Sequence, residues 1–95
     1  MLIKWMDPSL VDLKKIELYI ARDKPQAARQ IARKIKLQVS RLQEFPTIGR
    51  TGQVAGTREL IISATPFLVI YRIQKDEIEV MRVLHTSMRW PNLPD

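Results

Sequence analysis

Phe67-Leu68-Val69-Ile70-Tyr71-Arg72-Ile73, a break at Gln74-Lys75-Asp76, and Glu77-Ile78-Glu79-Val80-Met81-Arg82-Val83-Leu84 form the stretch that decides the fold. The first run is apolar almost throughout, as a strand covered on both faces must be. The second alternates, Ile78 and Val80 against Glu77 and Glu79, as a strand with one covered face does. A short polar break between two such runs predicts a hairpin turn. Upstream, Arg58–Ser63 reads as another strand, joined to the hairpin through Ala64-Thr65-Pro66. The three together make a meander.

Working back from the meander, Pro46–Gly56 reads as a loop that holds all three glycines of the chain. Gly49 and Gly52 mark turns, and the Thr51-Gly52 step is expected to need a positive φ. Before it, Ala28, Ile31, Ala32, Ile35, Val39 and Leu42 recur at helical spacing. This helix starts after Asp23-Lys24-Pro25 and is stopped by Phe45-Pro46, because a residue before proline is pushed out of the helical region. Its outward stripe is basic: Arg29, Arg33 and Lys36, with Lys34 and Arg41 nearby. Leu10, Leu13, Ile16 or Glu17, and Ile20 predict an earlier helix running to about Arg22. Asp7 is its expected carboxylate cap and Pro8 its first residue. Leu2–Met6 is a short first strand with Ile3 and Trp5 on one face. The segment Ser87–Asp95 holds two prolines and looks irregular.

The order β-α-α-β-β-β predicts an α+β fold, an N-terminal helical hairpin packed on a small, mainly antiparallel sheet. With 95 residues, positions 1–95 form one domain. A composition 45% hydrophobic and 27% charged belongs to a globular chain. The absence of cysteine excludes disulfides and thiolate metal sites. Lys4 and Asp7 interrupt Met1–Leu10, so no signal peptide is expected. The longest apolar run, Pro66–Tyr71, is far too short to span a membrane. A cytoplasmic protein without membrane contact is expected. A net charge of +6 and an isoelectric point near 10.1 suit an anionic partner, nucleic acid or acidic protein.

Few residues could carry chemistry. His85 is the single histidine, and alone it cannot build a metal site, so no metal or cofactor is expected. At the end of a strand it is placed for acid–base work, or as a structural histidine bonding a backbone carbonyl. No serine sits in a nucleophile elbow, and Gly49-x-x-Gly52-x-x-x-Gly56 lacks the lysine of a phosphate-binding loop. Glu77 and Glu79 fall on the exposed side of their strand. Arg58, Arg72, Arg82 and Arg89 could grip phosphate or carboxylate, or pair inside the fold, for instance Arg58 or Arg89 with Glu59 or Glu79. Trp90-Pro91 is expected to anchor the tail.

The order of several short segments resembles the RelE/ParE superfamily of bacterial toxins. They are Asp12-Leu13, Tyr19-Ile20-Ala21, Pro25-Gln26-Ala27-Ala28, Leu42 through Arg50, Gly56-Thr57-Arg58-Glu59-Leu60, Tyr71-Arg72, and Val83-Leu84-His85 followed by Arg89-Trp90-Pro91. The resemblance spans Leu2 to Pro91. It implies a toxin of a type II toxin–antitoxin module, with a helical hairpin on a small sheet, held inactive by an antitoxin. RelE-like members cut messenger RNA on the ribosome; ParE-like members poison DNA gyrase.

The RelE pattern fits poorly. Its basic strand positions would fall near Glu59, Ile61 and Leu68, which cannot stabilise a phosphorane. Leu84-His85-x-x-x-Arg89 is similar to the Leu-His-x-Arg-Met segment of ParE toxins, with the arginine displaced. The resemblance therefore implies a gyrase poison that breaks no bond itself and serves plasmid stabilisation. Arg82, His85, Arg89 and Trp90 are its expected target contacts, with the basic helix stripe as second choice. The alternative is a ribosome-dependent endoribonuclease with His85, Arg58, Arg72 and Arg89 around the phosphate. A third possibility is a decayed toxin that only binds its antitoxin and DNA. The implied partners are an acidic antitoxin and DNA gyrase, or ribosome and mRNA in the alternative, with operator DNA reached only through the antitoxin. The surface that meets the antitoxin is not assigned by the sequence.

Overall fold

A computed structural model describes residues 1–88. Its elements are β1 (Leu2–Trp5), α1 (Asp7–Ala21), α2 (Pro25–Ser40), a single 3-10 turn (Arg41–Gln43), β2 (Arg50–Thr51), β3 (Arg58–Ile61), β4 (Phe67–Gln74) and β5 (Glu77–His85). The five strands make one sheet in the order β1-β5-β4-β3-β2. β1 runs parallel to β5, and every other pairing is antiparallel. The α+β architecture with a helical hairpin on a mainly antiparallel sheet is therefore present, with one strand more than the sequence suggested.

The central position of β4 explains its composition. Phe67, Val69 and Tyr71 meet Leu13 of α1 and Ala32, Ile35 and Val39 of α2 in the main core. Leu68 and Ile70 point to the other face, where they cluster with Leu84 and Met81. Apolar residues at both parities are thus used, one set per face. α2 buries Ala28, Ala32, Ile35 and Val39, the stripe its period demanded. Its α-helical part stops at Ser40, and the 3-10 turn carries Leu42 into the core.

β5 contains a bulge. Ile70 pairs with Arg82 and Tyr71 with Val80, so Met81 is the extra residue. A bulge reverses the alternation beyond it. Ile78 and Val80 face the helices before it, and Val83 faces them after it. Without the bulge, the charge of Arg82 would point into the core.

Three expectations are corrected. Asp7 is not a cap: Met6 holds that position and Asp7 lies inside the first turn. The buried Ser9 hydroxyl instead donates to the Met6 carbonyl at 2.6 Å. Gly52 does not need a positive φ; Gly56 has one, as do Ala64 and Lys75. Gly52 is required for space, because a Cβ there would lie 2.2 Å from the Thr57 hydroxyl. Glu79 is not solvated: its side chain is 14% exposed and paired with Arg72.

The loop after α2 is also more ordered than its composition suggests. Inside it β2 pairs with Arg58 and Glu59. The Tyr71 hydroxyl accepts from the Gly49 amide at 3.0 Å and donates to the Pro46 carbonyl at 2.7 Å. Arg58 donates to the Gly49 carbonyl at 2.9 Å, and Glu59 accepts from Arg50. Three sheet side chains therefore clamp the loop.

Burial pushes the Tyr71 hydroxyl above its ordinary value of 10.0, opposed by the Gly49 hydrogen bond and by the Arg58 charge. A proton held more tightly in the folded state gives stability that is complete below the unfolded value. That stability is lost as pH rises through the folded one. Unfolding free energy should therefore decline above about pH 10 more steeply in the natural chain than in Tyr71→Phe, as urea titrations would record.

Candidate functional site

The strand end at His85 forms a cleft of about 270 Å³ against α1, lined by Asp12, Lys15, Ile16, Phe67, Arg82, His85 and Met88, among others. The bulge sets its walls. His85 pairs with Phe67 across the strands, and the two rings meet edge to face with centroids 5.7 Å apart. Arg82, just past the bulge, reaches Asp12 on α1.

Asp12 organises this corner. Its carboxylate accepts from Arg82 Nε at 2.7 Å, from Arg82 Nη2 at 3.0 Å, and from the Val83 amide at 3.0 Å. β1 covers the edge of β5 only as far as Val80. Asp12 thus takes up an edge amide that would otherwise lack a strand partner. The hydrogen bond to Asp12 raises the Arg82 guanidinium above its ordinary value, against the effect of burial. Of the three guanidinium nitrogens, Nη1 is the one Asp12 does not engage.

His85 is exposed, and its Nδ1 lies 3.1 Å from the Ser87 amide and 2.8 Å from the Ser87 hydroxyl. A backbone N–H can only donate, so Nδ1 acts as acceptor and the neutral ring carries its proton on Nε2. The partner of this histidine is thus an amide, not the carbonyl expected. Its outward nitrogen is a donor.

The other candidates lie elsewhere. Arg58 pairs with Tyr71, four residues along β4 from Phe67, a separation of about 13 Å at strand rise. Its guanidinium is spent on the loop carbonyls of Thr47 and Gly49. Arg72 is further along still and pairs with Glu79. Neither comes to His85. Among the described residues the internal pairs are Arg50–Glu59, Arg72–Glu79 and Arg82–Asp12, so Arg58 does not make the pairing expected of it. Arg89 and Trp90 lie outside the described residues. Among the described residues no cluster of histidine and carboxylates could hold a metal, and no helix is long and apolar enough to cross a membrane.

Asp12 and Lys15 were not singled out from sequence as site residues. A carboxylate beside Leu13, the most buried apolar position of α1, was the signal available. The basic stripe is placed as expected: Arg29, Arg33 and Lys36 are exposed along α2 and border a second cleft, of about 550 Å³.

Residues 3–90 match the family model described as "ParE toxin of type II toxin-antitoxin system, parDE". A protein of Sinorhizobium fredii named "Putative toxin Y4kP" is 36% identical over 96% of this chain and 94% of its own length. "Toxin RelE2" of Caulobacter vibrioides is 29% identical over 90% of this chain and 94% of its own. Among solved structures, a chain of the chromosomal ParDE system of P. aeruginosa superposes with a TM-score of 0.83 at 28% identity, covering 90% of this chain and 95% of that one. A chain of the RelBE2 toxin–antitoxin complex of Mycobacterium tuberculosis gives 0.59 at 17% identity, covering 88% and 95%, a likeness of fold alone.

Proposed function

The chain belongs to the ParE toxin family, as a toxin of type II toxin–antitoxin systems, and from that premise we propose that it stalls growth by contact with DNA gyrase and is restrained by a co-produced acidic antitoxin. Gyrase would be trapped with its DNA cleaved, in the cytoplasm, and the toxin would break no bond. Operator DNA would be reached only through the antitoxin.

The observation that carries the choice of gyrase over RNA is the state of His85. A general base needs a free lone pair within reach of the proton it removes. The lone pair of His85 is occupied by the Ser87 amide. Two of the arginines that would neutralise a phosphorane, Arg58 and Arg72, are tied to loop carbonyls and to Glu79. What remains at the strand end is a set of donors, the Nε2–H of His85, Nη1 of Arg82 and the Lys15 ammonium, beside apolar Ile16, Phe67 and Met88. Cations and aromatics over a partly apolar surface are what a protein interface uses. Arg82, His85, Arg89 and Trp90 are the proposed contacts, with Lys15 added to them.

A supercoiling assay with purified gyrase tests this. The chain is expected to abolish supercoiling and accumulate cleaved DNA, while translated mRNA stays intact. His85→Ala should weaken inhibition about 30-fold, an interface anchor of roughly 2 kcal/mol. Cleavage of translated mRNA that disappears in His85→Ala would instead establish the ribonuclease. Normal growth on expression, with antitoxin binding retained, would mark a decayed toxin.

A further inference from the structure

The bulge at Met81 opens a further cleft that the strand-end contacts do not account for. Leu68 and Ile70 face away from the helices, and Arg72 continues their side of β4. Arg82 pairs with Ile70 and Glu79 with Arg72, while Met81 packs on Leu68, Ile70 and Leu84. The extra residue therefore places Met81 and Arg82, neighbours in sequence, on the same open face. At the adjoining edge the Met6 amide donates to the Val80 carbonyl at 2.9 Å, where the β1 ladder ends. Met6, Pro8, Arg72, Glu79, Met81 and Arg82 enclose about 230 Å³ there. Arg82 also lines the His85 cleft, so the two hollows share it as a wall.

We infer that this cleft takes one aromatic side chain, a tyrosine or a tryptophan, from the surface of gyrase, a deepening that rests on the gyrase reading above. Its volume is below the roughly 300–1,000 Å³ of small-molecule sites and suits a single large side chain. The thioethers of Met6 and Met81 make most of the apolar wall, and thioethers favour an aromatic ring and adapt to its outline. A guanidinium stacks on such a ring, and Arg72 and Arg82 are held in place by Glu79 and Asp12. Arg72 engages Oε1 of Glu79, which leaves Oε2 to accept from a phenolic O–H or an indole N–H. A free phosphate does not fit, because Glu79 repels it and the thioethers offer it no donor. Strand addition does not fit either: Asp12 already occupies the Val83 amide, and the bulge breaks the ladder. A partner that grips His85 and Arg82 spans this bare edge of β5 and so reaches the cleft with a side chain.

The test has two arms, both on the full chain. In the first, N-acetyltryptophanamide is titrated at millimolar concentration against protein carrying carbon-13 in its methionine methyls. The Met6 and Met81 methyl resonances are expected to shift, with Met1 and Met88 unmoved. Pro8→Trp, which lays a resident ring on the cleft, should abolish the shifts. In the second arm, gyrase inhibition is measured for the natural chain, Met81→Ala and Pro8→Trp. Each variant is expected to inhibit about 10-fold more weakly, the loss of one anchoring ring. Thermal melting at the natural temperature excludes misfolding, and Pro8 is exposed, so its replacement keeps the test open if Met81→Ala loosens the bulge. Full inhibition by both variants overturns the cleft assignment and leaves the gyrase reading intact. Absence of inhibition by the natural chain overturns both. Methionine methyls that ignore the probe overturn the aromatic occupant. Self-association abolished by Tyr19→Ala, whose side chain is exposed, would give the cleft to a second copy and overturn the inference as well.

Discussion

Tyr71→Ala is expected to lower the unfolding free energy by about 4 kcal/mol, the cost of emptying a large aromatic site in a core. Tyr71 has no exposed surface and is among the largest fully buried side chains. For a domain of this size the whole stability is about 5–15 kcal/mol, so the melting temperature should drop by roughly 20 °C. The consequence extends beyond the core, because the hydroxyl clamps the Pro46 carbonyl and Gly49 amide. Amide exchange at Gly49 should lose its protection selectively. Tyr71→Phe keeps the ring and forfeits only these hydrogen bonds, a loss of about 1–2 kcal/mol. A Tyr71→Ala protein melting within 5 °C of the natural one would refute this account of the core (the expected fall is several times larger).

The second large effect is at Asp12. Asp12→Ala removes three hydrogen bonds and leaves the Arg82 charge and the Val83 amide without their partner. Breaking a fully buried pair costs about 3–5 kcal/mol. The Arg82 side chain is 31% exposed and the Asp12 side chain 12%, so water recovers part of this, and about 2 kcal/mol is expected. Gyrase inhibition should suffer as well, since Arg82 loses the carboxylate that fixes its direction. A double-mutant cycle with Arg82→Met isolates the coupling, expected at about 1 kcal/mol or more. If the two changes simply add, Asp12 does not position Arg82. Asp12→Asn should recover part of the stability, since a side-chain carbonyl can still accept one of these bonds.

Much of the frame was legible because it rests on local rules. The apolar positions of α2, the hairpin at Lys75-Asp76 and the two-faced burial of β4 follow from period alone. What escaped depends on distant partners. β2 is two residues long, too short to show a period, and exists because Arg58 and Glu59 lie opposite it. The bulge at Met81 left a trace, the spacing of apolar residues changing from two, Ile78 to Val80, to three, Val80 to Val83. Alternation carried unbroken past Val80 would put Arg82 on the face toward the helices. The arginines were legible as cations and not as clamps, because their fates were set by carbonyls and carboxylates on other elements. His85 was recognised from its strand end, but its tautomer was decided by an amide two residues on.

The parallel pairing of β1 with β5 has a consequence for how the protein comes into being. Leu2 meets Glu77, so the first strand made must wait about 75 residues for the neighbour that completes its ladder. Such remote pairings form late and slowly. While it is being synthesised, therefore, the polypeptide cannot complete the β1 edge of its sheet. On the proposed reading, the contacts that β5 carries would be finished only once β1 has found it, an interval that leaves room for the antidote to arrive.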